Sequence, residues 1–394
     1  MKPLTHSCSV ARGHVSYPHA GLRVALSFLS ALLFLCSAAC QQGEPVANFD
    51  QLAAQAAAAR DQDRLDQAIA LYKKALALRP EWADGWFSLG TIEYDGNQFE
   101  AAARDFERLV PLAPTDGTSR AMLGLCEFEL GNDPAALKDL REGRALGVAN
   151  DPQLQEVVVY HEGILLLRAG QFKLAQSTFG TLCKMGVADD QAMQGMGLAV
   201  LRIAPVDASS LGLPGSDVLK RVGNAACLTS KKKFAEANEE YTKLLQDQPG
   251  LSKLHYAYGL FLVASNDVPR AVEEFKIEIE RNPKDTSARL EIAAALYKVD
   301  SSAALPYAQQ AVELNPAQPF AHYLLGLLLL DTNDYAKAIP QLEIAAKAFP
   351  KEKKLFFALG SAYARAGRRE DAEKARATFE RLNREPESET STSY

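Results

Sequence analysis

Apolar residues along this chain recur at helical spacing in short runs broken by turn signals, and the pattern is fullest from Trp86 to Pro114. Trp86, Leu89, Gly90 and Ile92 fall close to one helical face. Asp95-Gly96-Asn97 then marks a turn. Phe99, Ala102, Phe106 and Leu109 follow at helical spacing, and Pro114, which cannot continue a helix interior, closes the unit. The stretch predicts two short helices folded against each other. Gly inside a helix costs about 1 kcal/mol against Ala. Gly90 therefore implies another backbone passing too close for a side chain, and Ala102 is small where the helices would cross.

The same template recurs. Closing prolines stand at Pro80 and Pro114, and again at Pro249, Pro283, Pro316 and Pro350, with steps of 33 or 34 residues inside each run. The small first-helix residue returns at Gly90, Gly124, Gly163, Gly259, Gly326 and Gly360. Twelve residues after each stands Ala102, Ala136, Ala175, Ala271, Ala338 or Ala372. This pattern resembles the tetratricopeptide repeat family, whose period is about 34 residues with the signature W-x2-L-G-x2-Y…A-x3-F…P. The match is fullest at Trp86/Leu89/Gly90/Ala102/Phe106/Pro114, and good at Leu325/Gly326/Ala338/Pro350 and Leu359/Gly360/Tyr363/Ala372. The resemblance runs from about residue 49 to 382. It implies an all-α fold, a right-handed superhelical solenoid of about nine helix-turn-helix repeats. Arrays of this family bind very different things, so the fold does not name the ligand.

A chain of 394 residues is too long for one core but suits an array. At its start, Val24 to Cys36 is an apolar run after Arg23, too short to span a bilayer and right for a signal segment. Small residues Ser37-Ala38-Ala39 follow, then Cys40. Residues 1–40 thus resemble a bacterial lipoprotein signal, in which Cys40 is lipidated and becomes the mature N-terminus. Ordinary cleavage near Ala39 and an uncleaved anchor are the alternatives. Residues 41–48 form a short polar tether. Repeats occupy 49–203, and the first of them, with its Ala-rich first helix, suits a terminal cap. Residues 189–203 read as a first helix without a partner. Two Pro and two Gly within 204–217 then break the helical pattern. This is read as an irregular join between two blocks, with a helix at Val218–Thr229 covering the unpaired one. An ordered loop laid into a groove is the other reading. The second block runs over 218–382. Residues 383–394 are polar, without apolar periodicity, and read as a disordered tail.

Net charge is −6, and residues 1–39 carry Lys2, Arg12 and Arg23 but no acid, so the remainder is more acidic still. That excludes nucleic acid as the expected partner, because phosphates call for clustered Lys and Arg. Lys231-Lys232-Lys233 reads as a solvated turn. His161, His255 and His322 lie on separate repeats without HExxH or paired-Cys spacing, so they read as packed residues and no metal is expected. Cys126, Cys183 and Cys227 sit in different repeats and are expected as buried free thiols. No phosphate-binding Gly motif follows a strand. Asp207 stands in the 204–217 stretch without a base beside it, so no catalytic residue and no cofactor is expected.

What remains is a surface. In the resembling family the first helices line a concave groove. Positions three before, one after and four after the signature Gly share one stripe. The candidate partner-binding residues on it are Phe87, Thr91, Tyr94, Tyr160, Tyr256, Tyr323 and Phe357. The stripe is apolar and aromatic and lacks the Lys/Asn clamp with which some family members hold a peptide carboxylate. Two readings follow: packing between neighbouring repeats, or a groove for an extended peptide or amphipathic helix. The expected function is a non-catalytic scaffold for a protein or peptide at a bacterial envelope, tethered by Cys40. An accessory role in polysaccharide export or glycan binding is the alternative, although few Asn, Asp or Gln interleave with the aromatics. Oligomeric state is not readable from the chain.

Overall fold

The computed structural model describes residues 48–148, 151–205 and 215–384. Among these residues the fold is helical throughout, with nineteen helices. The first six are α1 (Phe49–Asp61), α2 (Leu65–Leu78), α3 (Ala83–Asp95), α4 (Phe99–Leu112), α5 (Gly117–Glu129) and α6 (Asp133–Leu146). Next come α7 (Pro152–Arg168), α8 (Phe172–Met185), α9 (Asp190–Leu201), α10 (Ser216–Ser230) and α11 (Phe234–Asp247). The array continues with α12 (Leu254–Ala264), α13 (Val268–Arg281), α14 (Thr286–Leu296) and α15 (Ser301–Leu314). It ends with α16 (Pro319–Asp331), α17 (Tyr335–Ala348), α18 (Lys353–Arg365) and α19 (Arg369–Arg384).

The turns and caps follow from local chemistry. Asn97, Asn266 and Asn333 take positive φ at the tips of three hairpins, a conformation Asn tolerates better than most residues. Asp116, Asp151, Asp189 and Asp285 cap α5, α7, α9 and α14 through side-chain oxygens that accept backbone N–H bonds. Pro80, Pro114, Pro249, Pro283, Pro316 and Pro350 each stand just beyond a helix end.

Adjacent helices pack into hairpins, and the signature Gly meets the residue sixteen positions later on the second helix. A Cβ on Gly90, Gly163 or Gly259 would come within 3.0, 2.8 or 2.5 Å of the ring of Phe106, Phe179 or Phe275. At Gly326 the obstacle is Leu342, at 2.6 Å. The expectation of a passing backbone at Gly90 therefore needs correcting: there, as at the other three sites, a large side chain fills the space. Only at Gly124 among the signature positions is the nearest atom a backbone one, Leu140 N at 2.8 Å. The crossing alanines Ala102, Ala136, Ala175, Ala271 and Ala338 are all fully buried.

The join has its own geometry. A Cβ on Gly197 of α9 would lie 2.2 Å from the Leu219 carbonyl oxygen, and one on Gly223 of α10 would lie 1.9 Å from that of Met193. The two backbones are thus in direct contact, and α10 covers α9. The other side of α10 packs on α11, so α9, α10 and α11 form a three-helix unit in a run of pairs. One buried cluster runs from Val159 on α7 through Met196, Val222 and Tyr241 to Ile292 on α14. The described residues from Asn48 onward form a single compact unit, and the two blocks read from the sequence are segments of it. The signal segment with Cys40, the tether up to residue 47, residues 206–214 of the join and the tail from residue 385 lie outside the described residues. No helix among the described residues is long and apolar enough to cross a membrane.

Candidate functional site

The aromatic stripe splits into three environments. Phe87, Thr91, Tyr94 and Tyr160 are half-buried, as is Phe128 between them. Tyr256 and Tyr323 are 2% and 8% exposed. Phe357 is 62% exposed. As partner contacts, Tyr256 and Tyr323 must be corrected: they are core residues, the outcome that packing between repeats anticipates.

Tyr256 shows why. Its ring packs 5.8 Å from that of Phe275, and its hydroxyl donates to Glu291 at 3.4 Å. Arg202, with φ of 57° just past the end of α9, donates to the same hydroxyl at 3.4 Å and lies over the Phe172 ring. Lys253 lies over the Tyr256 ring and ion-pairs with Asp285. Burial pushes the Tyr256 phenol well above its ordinary pKa. Tyr256 thus ties α9, α12, α13 and α14 together, and this cluster joins helices across the end of the three-helix unit.

The half-buried rings are arranged differently. Phe128 on α5 meets the His161 ring edge-on at 4.5 Å, and Tyr160 meets it at 5.4 Å. Arg168 stacks over Phe128 at 4.7 Å and reaches Asp133 at 2.9 Å. Phe87 packs on Phe106 and Tyr94 on Phe99, both edge-on. Thr91 returns its hydroxyl to the Phe87 carbonyl at 2.8 Å. These rings are held on one side and open on the other, so α3, α5 and α7 present a row of fixed, partly exposed aromatic faces with one guanidinium among them.

A tetratricopeptide repeat model matches residues 53–117, 94–153, 290–352 and 323–382. The chain belongs to the tetratricopeptide repeat family. No curated protein matches it. Among solved structures it is similar to MamA 41-end from Desulfovibrio magneticus RS-1, with 23% identity over 44% of this chain and 99% of that one and a TM-score of 0.41. A MamA RS-1 double mutant gives 23% identity, 43% and 96% coverage and a TM-score of 0.40. A further MamA crystal structure gives 22% identity, 43% and 93% coverage and a TM-score of 0.39. Between the matched stretches, this tetratricopeptide repeat protein keeps the same hairpin packing through α7, α8, α12 and α13.

The remaining candidate chemistry of the repeat protein is structural. His161 Nδ1 hydrogen-bonds the Val157 carbonyl at 2.7 Å, and burial lowers its pKa. His255 hydrogen-bonds Glu274, and His322 hydrogen-bonds Gln341, each at 2.6 Å. Among the described residues no group of three His, Cys, Asp or Glu is placed to hold a metal. The expectation of three free thiols is overturned for two of them: Cys183 and Cys227 form a disulfide, while Cys126 is free and buried. Their separation of 44 residues matches no framework spacing, and α10 had to be placed on α8 before the pairing became visible. Nothing in the sequence spacing of Arg168 likewise shows that it covers Phe128.

Proposed function

We propose that this tetratricopeptide repeat protein is a non-catalytic scaffold that holds a protein segment along the row Phe87, Thr91, Tyr94, Phe128 and Tyr160. The observation that carries the reading is the contrast within one stripe. Three residues before the signature Gly, Tyr256 on α12 and Tyr323 on α16 are sealed into the core, whereas Phe87 on α3 and Tyr160 on α7 stay half-open. Rings packed on one side lose little freedom on binding, and Tyr adds a polar tip for a wet interface. Phe357 extends the candidate surface at the far end of the array.

The scaffold works at the bacterial cell envelope, tethered through a lipid on Cys40 that raises the local concentration of partner at the membrane. The disulfide supports export, since such bonds persist in oxidising compartments. The test is capture from an envelope extract by the full chain and by a Phe87→Ala/Tyr94→Ala/Tyr160→Ala variant matched in helicity by circular dichroism. Loss of a protein band with the folded variant supports the row. Retention of the band moves the binding face elsewhere, and capture of glycan without protein rejects a protein-binding scaffold. Metabolic labelling with a fatty-acid probe tests the tether: Cys40→Ser abolishes the label, and a label that survives the substitution removes Cys40 from the reading.

A further inference from the structure

A cleft of about 720 Å³ opens between α2 and α4. Trp86 and Leu89 of α3 line it, with Leu76 from α2 and Pro111 and Leu112 from α4. Trp86, Leu89 and Glu93 are spaced i, i+3, i+7, and at 100° per residue they share the side of α3 turned away from Phe87, Thr91 and Tyr94. The cleft is therefore separate from the aromatic row. Its indole is fixed, because Trp86 Nε1–H donates to the Pro80 carbonyl at 2.7 Å.

One part of the cleft wall is polar. Lys73 and Asp105 line it. Beside them is Glu93, fully buried, whose carboxylate ion-pairs with Lys73 at 2.8 Å. Asp105 Oδ2 is also buried, and no donor within the described residues hydrogen-bonds to it. Two carboxyl groups thus lie close to the Lys73 ammonium, in a cleft whose other charged lining residues are Glu107 and Arg108. A buried carboxylate oxygen without a donor is costly, and Asp105 is also one of the residues that line the open volume.

We propose that this cleft binds an organic cation with an apolar body, its ammonium or guanidinium on Asp105 and its stem against Trp86 and Leu89. A charge-assisted hydrogen bond satisfies the carboxylate, and Trp is the best aromatic face for a cation or its methylenes. A free amine and the basic side chain of a partner offer the same chemistry, and the experiment separates them. The site stands apart from the segment-binding row, so either reading can fail alone.

Proton and ligand compete for Asp105. Its carboxyl is pushed up to about 7 by burial first, then by the charge and hydrogen bond of Glu93 on α3, against Lys73 on α2 and Arg104 on its own helix. Glu107 and Arg108 of α4 complete the charged groups lining the cleft. Binding therefore tightens as pH rises from about 5.5 to about 8, across the point where the carboxyl ionises.

The experiment is titration of the full chain with phenethylamine, followed by tryptophan fluorescence, with 2-phenylethanol as the neutral control and an acetylated Leu-Lys-Leu amide as the peptide arm. Trp82 and Trp86 are the two tryptophans, and Trp86→Phe assigns the signal. Saturable binding is expected for the amine, at least about tenfold weaker for the alcohol and for Asp105→Asn. Leu112→Trp, at the partly exposed mouth, blocks the cleft without touching its charges and should abolish binding. If the peptide binds and the amine does not, the occupant is a partner's side chain. The proposal is overturned if neither cation saturates, if the alcohol binds as well as the amine, or if folded Asp105→Asn binds unchanged.

Discussion

Cys183 on α8 and Cys227 on α10 are disulfide-bonded with their Cα atoms 5.6 Å apart, so α8 and α10 are joined directly, past the helix α9 that separates them in the chain. The helix that breaks the pairing lies within the loop that the bond closes. Closing a loop of this size restricts the unfolded chain and typically contributes about 2–4 kcal/mol. Reduction, or Cys183→Ser/Cys227→Ser, should lower the denaturant midpoint by that order. Thiol titration of denatured protein should find two more reactive thiols after reduction than before. An equal count in both samples would show that the pair is not bonded.

Close approach at the join makes a second prediction. Gly223→Ala would drive a methyl into the Met193 carbonyl oxygen, and Gly197→Ala into that of Leu219. Neither obstacle is a flexible side chain, so α9 and α10 must separate. A loss of about 3 kcal/mol or more is expected, at the upper end for overpacking. Gly360→Ala is the contrast: its nearest obstacle is Arg376 Cγ at 3.4 Å, and Ala is the better helix former. That variant should be neutral or slightly stabilised. Thermal melts of the three decide it, and equal tolerance would mean the α9–α10 contact is looser than described.

These glycines show where the sequence was legible. Gly90, Gly163 and Gly259 announced a close approach, and the period of closing prolines placed the hairpins, because those signals are local. What fills the space depends on residues sixteen positions away on another helix, and that is why a passing backbone was expected at Gly90, where the Phe106 ring stands. The stripe divides for a similar reason. Periodicity puts Tyr160, Tyr256 and Tyr323 on one helical face, but exposure is set by the helices packed alongside. Tyr256 is sealed by Arg202, Phe275 and Glu291, none of which is near it in sequence.

That difference predicts a graded response to truncation. Tyr256→Ala empties a core position and should cost about 3–5 kcal/mol. Tyr160→Ala removes a half-buried ring and should cost less. Phe357→Ala, losing mainly its contact with Phe379, should stay within about 1 kcal/mol. Urea unfolding of the three variants tests the order, and a Tyr256→Ala variant as stable as Phe357→Ala would return Tyr256 to the list of surface anchors.

The carboxyl of Asp105 makes stability depend on pH with a sign opposite to that of a salt-bridged acid. Its folded pKa is raised from 3.8 to about 7, chiefly by burial and then by Glu93. Between those values the native state holds a proton that the unfolded chain has released. Stability from this group is therefore fully present below the unfolded value and is lost as pH rises through the folded one. Asp105→Asn cannot ionise, so the variant should gain on the wild type as pH goes from about 4 to about 8. Glu129, Asp139 and Glu162 are also raised by burial, and they act alike in both proteins. The difference between the two urea midpoints at each pH isolates the titration that Asp105 shares with Glu93. A difference that stays flat across this window would mean that Asp105 is ionised throughout it.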